Sequence, residues 1–467
     1  MFGSASGAES GAAHELDDID EERAALVQPS VWLELSQLMM ASRLENGGQF
    51  ENVINTGQGF PDWPSPEFVR QAAADIFLDA ANAPRTSVYS PTRGITPFLS
   101  ALCAEYGPRI KQKLDPQRNV CVTVGASQAI QLCMQAFLNR GDEVVLIEPF
   151  FDLYRAAAML SHATIRSVAL QLRSPPASAQ RQSNACDFVL DMAAFESCFN
   201  ENTRVLVLNS PHNPTGKMFS RDEYSAIMRV LRKFPKVTVV SDEVYEHITF
   251  DDHEHVPFAS ISEEAFARTV SIYSAGKTFS CTGWKVGWLI APPALISRAA
   301  LIQQWIVFSV CTPLQAALAN IISRAREPYE GHENYYAWLK AEYTRKRDIQ
   351  VRMLAGASLR PVVPMGAFFV MADTARVESS MELHTLPPRV AELEKQGLVT
   401  IDASTRARRD YNLVRRLILE YGVSAVPPSA FYAEANHEQG ANLLRFSFCR
   451  SDGALLEAGQ RLQKLFE

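Results

Sequence analysis

From residue 119 onward, short β-branched runs alternate with longer segments whose apolar positions recur at helical spacing. That alternation is the pattern of βαβ units and a mainly parallel sheet. The runs predict strands at Val120 to Val124, Glu143 to Ile147, Arg204 to Leu208, Lys236 to Val240, Thr269 to Tyr273 and Val286 to Ile290. Most lead into a loop carrying Gly, Pro, Ser or Asn, and loops at the carboxyl ends of such strands form the usual ligand crevice. Farther on, Glu333 to Leu354 reads as a long helix leading out of the sheet region. A second unit then offers a strand at Ala367 to Met371 and another around Asn442 to Phe448. A closing amphipathic helix follows, with Leu455, Leu456, Leu462, Leu465 and Phe466 at helical spacing. Between these strands, Thr374 to Arg409 is polar, Pro-containing and charge-rich, and reads as a surface insertion.

A chain of 467 residues exceeds the roughly 100 to 200 of one domain, in keeping with two units. Its 45 basic and 52 acidic residues are spread along the chain and give a net charge of -7, which does not recommend nucleic acid as a partner. No stretch reaches the roughly 18 apolar residues of a membrane span, so a soluble protein is expected. The first 25 residues are mostly Gly, Ala and Ser followed by an acidic run, Glu15 to Glu22, and the first arginine is Arg23. A disordered tail is expected there rather than a signal or transit peptide. The 8 cysteines are scattered without a C-x-x-C pair, which points to reduced thiols in a cytoplasmic protein and to no metal site.

Candidate chemistry sits on the strand ends. Lys277, in Ser274-Ala275-Gly276-Lys277-Thr278-Phe279, follows one strand and precedes another, at the mouth of the expected crevice. Asp242 ends the strand containing Val237 to Val240 and is followed by Tyr245; a buried carboxylate there needs a cation, and a protonated pyridine nitrogen is a suitable one. Asn213, in Pro211-His212-Asn213-Pro214-Thr215-Gly216, comes directly after a strand, although Asn-Pro and Thr-Gly are also ordinary turn chemistry. Gly125-Ala126-Ser127-Gln128 joins a strand to an apolar helix whose free N–H groups can hold a phosphate. Glu148-Pro149-Phe150-Phe151-Asp152 supplies an aromatic face, and Arg445 lies within an apolar strand, where its fork suits a carboxylate.

Together these residues resemble the fold-type I pyridoxal-phosphate aminotransferases, from about Trp32 to the C-terminus. Within them the resemblance is to the kynurenine aminotransferase, glutamine transaminase K and cysteine-conjugate β-lyase group. It is carried by Gly57-Gln58-Gly59-Phe60-Pro61-Asp62, Val122-Thr123-Val124-Gly125, Glu148-Pro149-Phe150-Phe151-Asp152, Asn213-Pro214-Thr215-Gly216-Lys217, Asp242-Glu243-Val244-Tyr245 and the Lys277 segment.

The resemblance implies a large domain with a mainly parallel seven-stranded sheet flanked by helices, and a smaller α+β C-terminal domain. The expected boundaries are an acidic tail over 1–28, an N-terminal arm and small-domain part over 29–62, the large domain over 63–325, and the small domain over 326–467 with its insertion near 374–410. It implies pyridoxal phosphate held as a Schiff base by Lys277, which also shuttles the proton. Asp242 would keep the ring nitrogen protonated, Tyr245 and Asn213 would bond the ring oxygen, and Phe151 would stack on the ring. The phosphate would be held by Ser274, Lys285 and the helix start at Gly125, Ala126 and Ser127. Tyr89 would reach it from the other subunit, so a homodimer with shared active sites is implied. Arg445 would clamp the substrate carboxylate, with Gly59, Trp32, Asn213 and Phe308 on the substrate side. Ser309 stands where kynurenine-using members often have a histidine, so the pocket lacks an aromatic wall and a titratable group there.

The implied reaction moves the amino group of a bulky neutral amino acid, whether aromatic, glutamine, methionine or kynurenine-like, to a 2-oxo acid. The alternative on the same residues is β-elimination from cysteine conjugates. A non-catalytic sensing domain fits less well, because the first 30 residues are too short and too acidic for a DNA-binding domain. A dehydrogenase lacks its G-x-G-x-x-G.

Overall fold

The computed structural model describes residues 30–45, 53–174, 181–377 and 381–466, so the tail expected over 1–28 lies outside the described residues. In chain order its strands are β1 (Ile54–Asn55), β2 (Val120–Thr123), β3 (Glu143–Glu148), β4 (Thr164–Leu172), β5 (Phe188–Leu190), β6 (Thr203–Asn209) and β7 (Thr238–Asp242). They continue with β8 (Thr269–Ser274), β9 (Gly287–Ile290), β10 (Arg360–Val362), β11 (Phe369–Asp373), β12 (Val423–Ser424) and β13 (Leu443–Ser447).

The large sheet has the order β2-β9-β8-β7-β6-β3-β4-β5. Strands β4, β3, β6, β7 and β8 pair in parallel, whereas β9 runs antiparallel to both β2 and β8. The apolar runs have a direct cause. Val144, Leu146, Val205, Val207 and Val240 belong to one buried core, while their neighbours Val145, Ile147, Leu206, Leu208 and Val239 belong to a second. Alternate side chains point to opposite faces, so a sheet covered on both sides needs apolar residues at every position.

The sheet has eight strands where seven were expected. The addition is the edge strand β5, whose three residues pair antiparallel with the far end of β4. Neither β4 nor β5 stood out in the sequence. The first half of β4 is only partly covered, so its pattern is mixed, and β5 is too short to show a period.

The small unit is built on the antiparallel sheet β10-β11-β13, with the long helix Tyr335–Gly356 and the closing helix Asp452–Gln463. Leu455 and Leu462 of the closing helix are buried, but Leu456 is exposed. The segment 374–409 is more than surface decoration: Val377, Leu383, Val390 and Leu393 are buried, the last two on the helix Pro388–Lys395. The N-terminal helix Val31–Glu45 joins the same unit through the buried ion pair between Glu34 and Arg415, at 2.7 Å. Just after it, β1 pairs in parallel with β12, which delivers the loop from Thr56 to Phe60 to the edge of the large sheet. Among the described residues no helix is long and apolar enough to cross a membrane.

Candidate active site

The carboxyl ends of β6 and β7 lie in register, Asn209 opposite Asp242, and both side chains face one cavity of about 330 Å³. Trp32, Gly59, Ala126, Ser127, Phe151, Asn213, Tyr245, Lys277 and Arg445 also line it. Residues drawn from the N-terminal helix, the 56–60 loop, the ends of the five strands β2, β3, β6, β7 and β8, and β13 thus meet in one place.

Asp242 is buried, and burial raises its carboxyl to about 6. The Tyr154 hydroxyl restrains that rise by donating to Asp242 Oδ2 at 2.6 Å, and the Val244 N–H adds a weaker bond at 3.3 Å. Asn209 donates to the Asp242 carbonyl at 2.9 Å and accepts from the Asn213 N–H at 2.7 Å, which ties the Asn213 turn to β7. Lys277 sits in the short helical turn Ala275–Thr278 after β8 and donates to the Gly59 carbonyl at 2.8 Å. Its Nζ lies over the Tyr245 and Phe368 rings, at 5.7 and 5.3 Å from the centroids. Burial lowers its amine to about 8.

Arg445, on β13, is 1% exposed, and burial brings its guanidinium down to about 10. It donates to Asn213 Oδ1 at 2.8 Å and to the Gly57 carbonyl at 2.6 Å, and its Nε has no partner. Phe369, Trp32 and Phe431 surround it, with ring centroids 4.2, 5.3 and 5.3 Å from Cζ. No carboxylate among the described residues lies within ion-pair distance of it. Asp152 acts on it electrostatically from beyond ion-pair distance, and a buried guanidinium with a donor left open could hold a further carboxylate.

At the other end of the cavity, the helix Gly125–Phe137 begins with Gly125 at φ 70°, and Lys285 Nζ stands 3.5 Å from Ser127 Oγ. A cation, a hydroxyl and open helix N–H groups make a phosphate cradle. Gly287 lets β9 pass beneath it, since a Cβ there would sit 2.8 Å from the Gly125 carbonyl carbon. Ser274, at the end of β8, is partly buried. Phosphate at this end, a flat aromatic ring above Asp242 and an aldehyde near Lys277 fit the donor set of pyridoxal phosphate.

Two expected residues stand apart. Tyr89 is 79% exposed and meets Phe308, 57% exposed, edge to face at 5.2 Å, away from the chain's own cavity. Phe308 therefore does not line the substrate side of its own chain. Reading the sequence missed Tyr154, Asp152, Asn209 and Phe369. Asn209 carried the same signal as Asp242, a polar residue closing an apolar parallel strand. Asp152 accepts from Trp32 Nε1 at 2.8 Å and so holds the indole at the cavity.

A lysine, a buried carboxylate and a buried arginine thus meet around the carboxyl edge of a parallel sheet, a set that could hold a phosphorylated aldehyde and an amino acid. The chain matches the family Aminotransferase class I and II over residues 51–462. The kynurenine--oxoglutarate transaminase of Dictyostelium discoideum is 36% identical over 440 residues, covering 94% of each chain. Human kynurenine--oxoglutarate transaminase 1 is 33% identical, over 88% of this chain and 92% of that one. Among solved structures, Bna3p of Saccharomyces cerevisiae superposes with a TM-score of 0.83 at 31% identity, covering 96% of this chain and 98% of that one. YbdL of Escherichia coli, a methionine aminotransferase, gives 0.77 at 27% identity, covering 96% and 99%. The chain belongs to the class I and II aminotransferases.

Proposed function

We propose that the cavity holds pyridoxal phosphate and that the chain moves the amino group of a bulky neutral amino acid to a 2-oxo acid, working as a homodimer. The observation that carries this reading is Arg445, a buried guanidinium open to the same cavity as Lys277 and Asp242. When bound, the cofactor supplies an aldehyde carbon that exchanges amines and a cationic ring that accepts the electron pair released at Cα.

This chain's residues do the rest. Arg445 takes the substrate carboxylate and so fixes which Cα–H bond faces Lys277. With its amine lowered to about 8, part of the Lys277 population is a free base near neutral pH and can take the Cα proton. Asp242, as a carboxylate, would hold the proton of the ring nitrogen, and Asn213 and Tyr245 would donate toward the ring oxygen. Ser127, Lys285, Ser274 and the N–H groups at Gly125 and Ala126 would hold the phosphate, and Phe151 would cover the ring. Trp32 and Phe60 wall the substrate side. In the dimer, Tyr89 and Phe308 of each chain would reach the partner's site, which agrees with their exposure here.

The substrate walls are aromatic and aliphatic, and Arg445 is committed to the α-carboxylate, so a neutral side chain is favoured over an acidic one. The names of the relatives, kynurenine--oxoglutarate transaminases, are the reason for including kynurenine among the donors tested. The test mixes holoenzyme with kynurenine, glutamine, methionine, phenylalanine and a cysteine conjugate in turn, following the cofactor band and the oxo acid released. Conversion of the band by one of the first four supports the reading. Pyruvate release from the cysteine conjugate alone, with the band restored, would replace transamination by β-elimination.

A further inference from the structure

Arg450 lies five residues beyond Arg445, just past the end of β13, and is 3% exposed. No carboxylate among the described residues pairs with it. Its donors are spent on peptide oxygens: Nε on Asn55, NH1 on Phe60 and on its own neighbour Cys449 at 2.7 Å, and NH2 on Gln58 at 2.8 Å. Its Cζ lies 5.1 Å from the Phe60 ring centroid. The next residue continues the grip, with the Ser451 N–H donating to Asp62 Oδ2 at 3.1 Å.

The carbonyls of the loop alternate. Those of Gln58 and Phe60 meet Arg450, while those of Gly57 and Gly59 meet Arg445 and Lys277 on the other side. The glycines are pressed too close to neighbours to allow any side chain. A Cβ on Gly57 would lie 2.9 Å from Ser424 Oγ, and one on Gly59 would lie 2.8 Å from Phe369 Cζ. Glycine peptides turn over easily, so packing alone does not decide which way these carbonyls point.

We infer that Arg450 is a positioning residue that fixes the peptide orientation of the 57–60 loop and thereby pre-orients Arg445 for the substrate carboxylate. A planar fork with several donors suits three oxygens at once, whereas a lysine offers a single compact charge. Without the fork, the Gln58 and Phe60 carbonyls, in the 58–59 and 60–61 peptides, lose their donor, the loop backbone loosens, the Gly57 carbonyl is held less firmly against Arg445, and the clamp must be ordered by the substrate itself. The inference rests on Arg445 being the carboxylate clamp.

The experiment compares parent, Arg450→Lys and Arg450→Ala holoenzymes by amide exchange over residues 55–60 and by steady-state kinetics with two unlike amino acids. Exchange should speed up across the loop in both variants. KM should rise about tenfold in Arg450→Ala for both amino acids, with kcat changed less than about threefold and Arg450→Lys between parent and Ala. Unchanged exchange in Arg450→Lys, or a kcat loss without a KM effect, overturns the inference; so does loss of folding in both variants, which would make Arg450 a scaffold residue only. Arg445→Met is run alongside. If it leaves KM unchanged, the clamp assignment fails; if it raises KM while Arg450→Ala does not, only the role of Arg450 fails.

Discussion

Arg445→Met removes the charge and keeps most of the volume. In the substrate complex each charge-assisted bond to the carboxylate contributes about 1.5 to 3 kcal/mol, so its loss should lower kcat/KM roughly 10- to 150-fold. The free enzyme should respond differently. Arg445 is buried with no carboxylate among the described residues at ion-pair distance, only the more distant pull of Asp152, and replacing a buried charge by an apolar group is often neutral or stabilising by about 1 to 4 kcal/mol. Against this, Asn213 Oδ1 and the Gly57 carbonyl lose their donor, at about 1 to 3 kcal/mol each where water cannot replace it. The cavity admits water, so the net change in stability should stay within about 2 kcal/mol. The assay measures kcat/KM for an amino acid and for its methyl ester in both enzymes. The parent should discriminate strongly between them, and the variant should not. An equal loss on acid and ester would refute the argument, because the lost energy would then have nothing to do with the carboxylate.

Three further outcomes follow from the same geometry. Tyr154→Phe removes the 2.6 Å bond to Asp242, so that carboxyl, already about 6, should titrate about 1 to 2 units higher in cofactor-stripped enzyme when followed by carbon NMR; titration at the parental pH would mean the bond has no weight. In the stripped enzyme Lys277 has a folded pKa of about 8 against 10.5 unfolded, so the unfolded state binds more protons between these values. Lys277→Met should therefore be more stable than the parent by roughly 3 kcal/mol at pH 7, and the gap should close as pH rises from about 8 to 10.5; a pH-independent gap in urea unfolding would contradict this. Finally, if Tyr89 completes the partner's site, mixing subunits of Lys277→Ala and Tyr89→Ala should recover about a quarter of parental activity, since a hybrid dimer holds one intact site. No recovery from verified hybrids would confine each site to one chain.

The parts visible in the sequence were those where a residue contradicts its surroundings. Asp242 after Val239 and Val240, Arg445 between Leu444 and Phe446, and Lys277 after β8 are charges in apolar context, and the structure brings all three to one cavity. The central strands were legible because two apolar faces leave no polar position in them. Residues that agree with their surroundings stayed hidden. Tyr154, on the first turn of an amphipathic helix, reads as core, and only the fold reveals that its hydroxyl ends on Asp242. Arg450 precedes a serine N-cap and reads as a solvated charge, whereas it is buried against the 55–60 loop. The pairing of β1 with β12 joins only two residues on each side, Ile54 with Val423 and Asn55 with Ser424, far apart in the chain, and no local pattern encodes it.

That hidden pairing explains why the site lies where it does. The large sheet by itself offers Asp242, Asn209 and Lys277, at the end of the cavity proposed for the cofactor. The carboxylate end needs β13, and β13 is tied to the sheet edge by the 56–60 loop, whose Thr56 carbonyl accepts from Ser447 and whose Gly57 carbonyl accepts from Arg445, and by the bond from Arg445 to Asn213. Both buried arginines, 445 and 450, bond peptide oxygens of this loop, joined by the Asn213 amide for Arg445 and by the Asn55 and Cys449 carbonyls for Arg450, and neither pairs with a carboxylate among the described residues. A carboxylate partner would have neutralised Arg445 and closed the anion site, whereas neutral carbonyls orient the guanidinium and leave its charge available to the substrate.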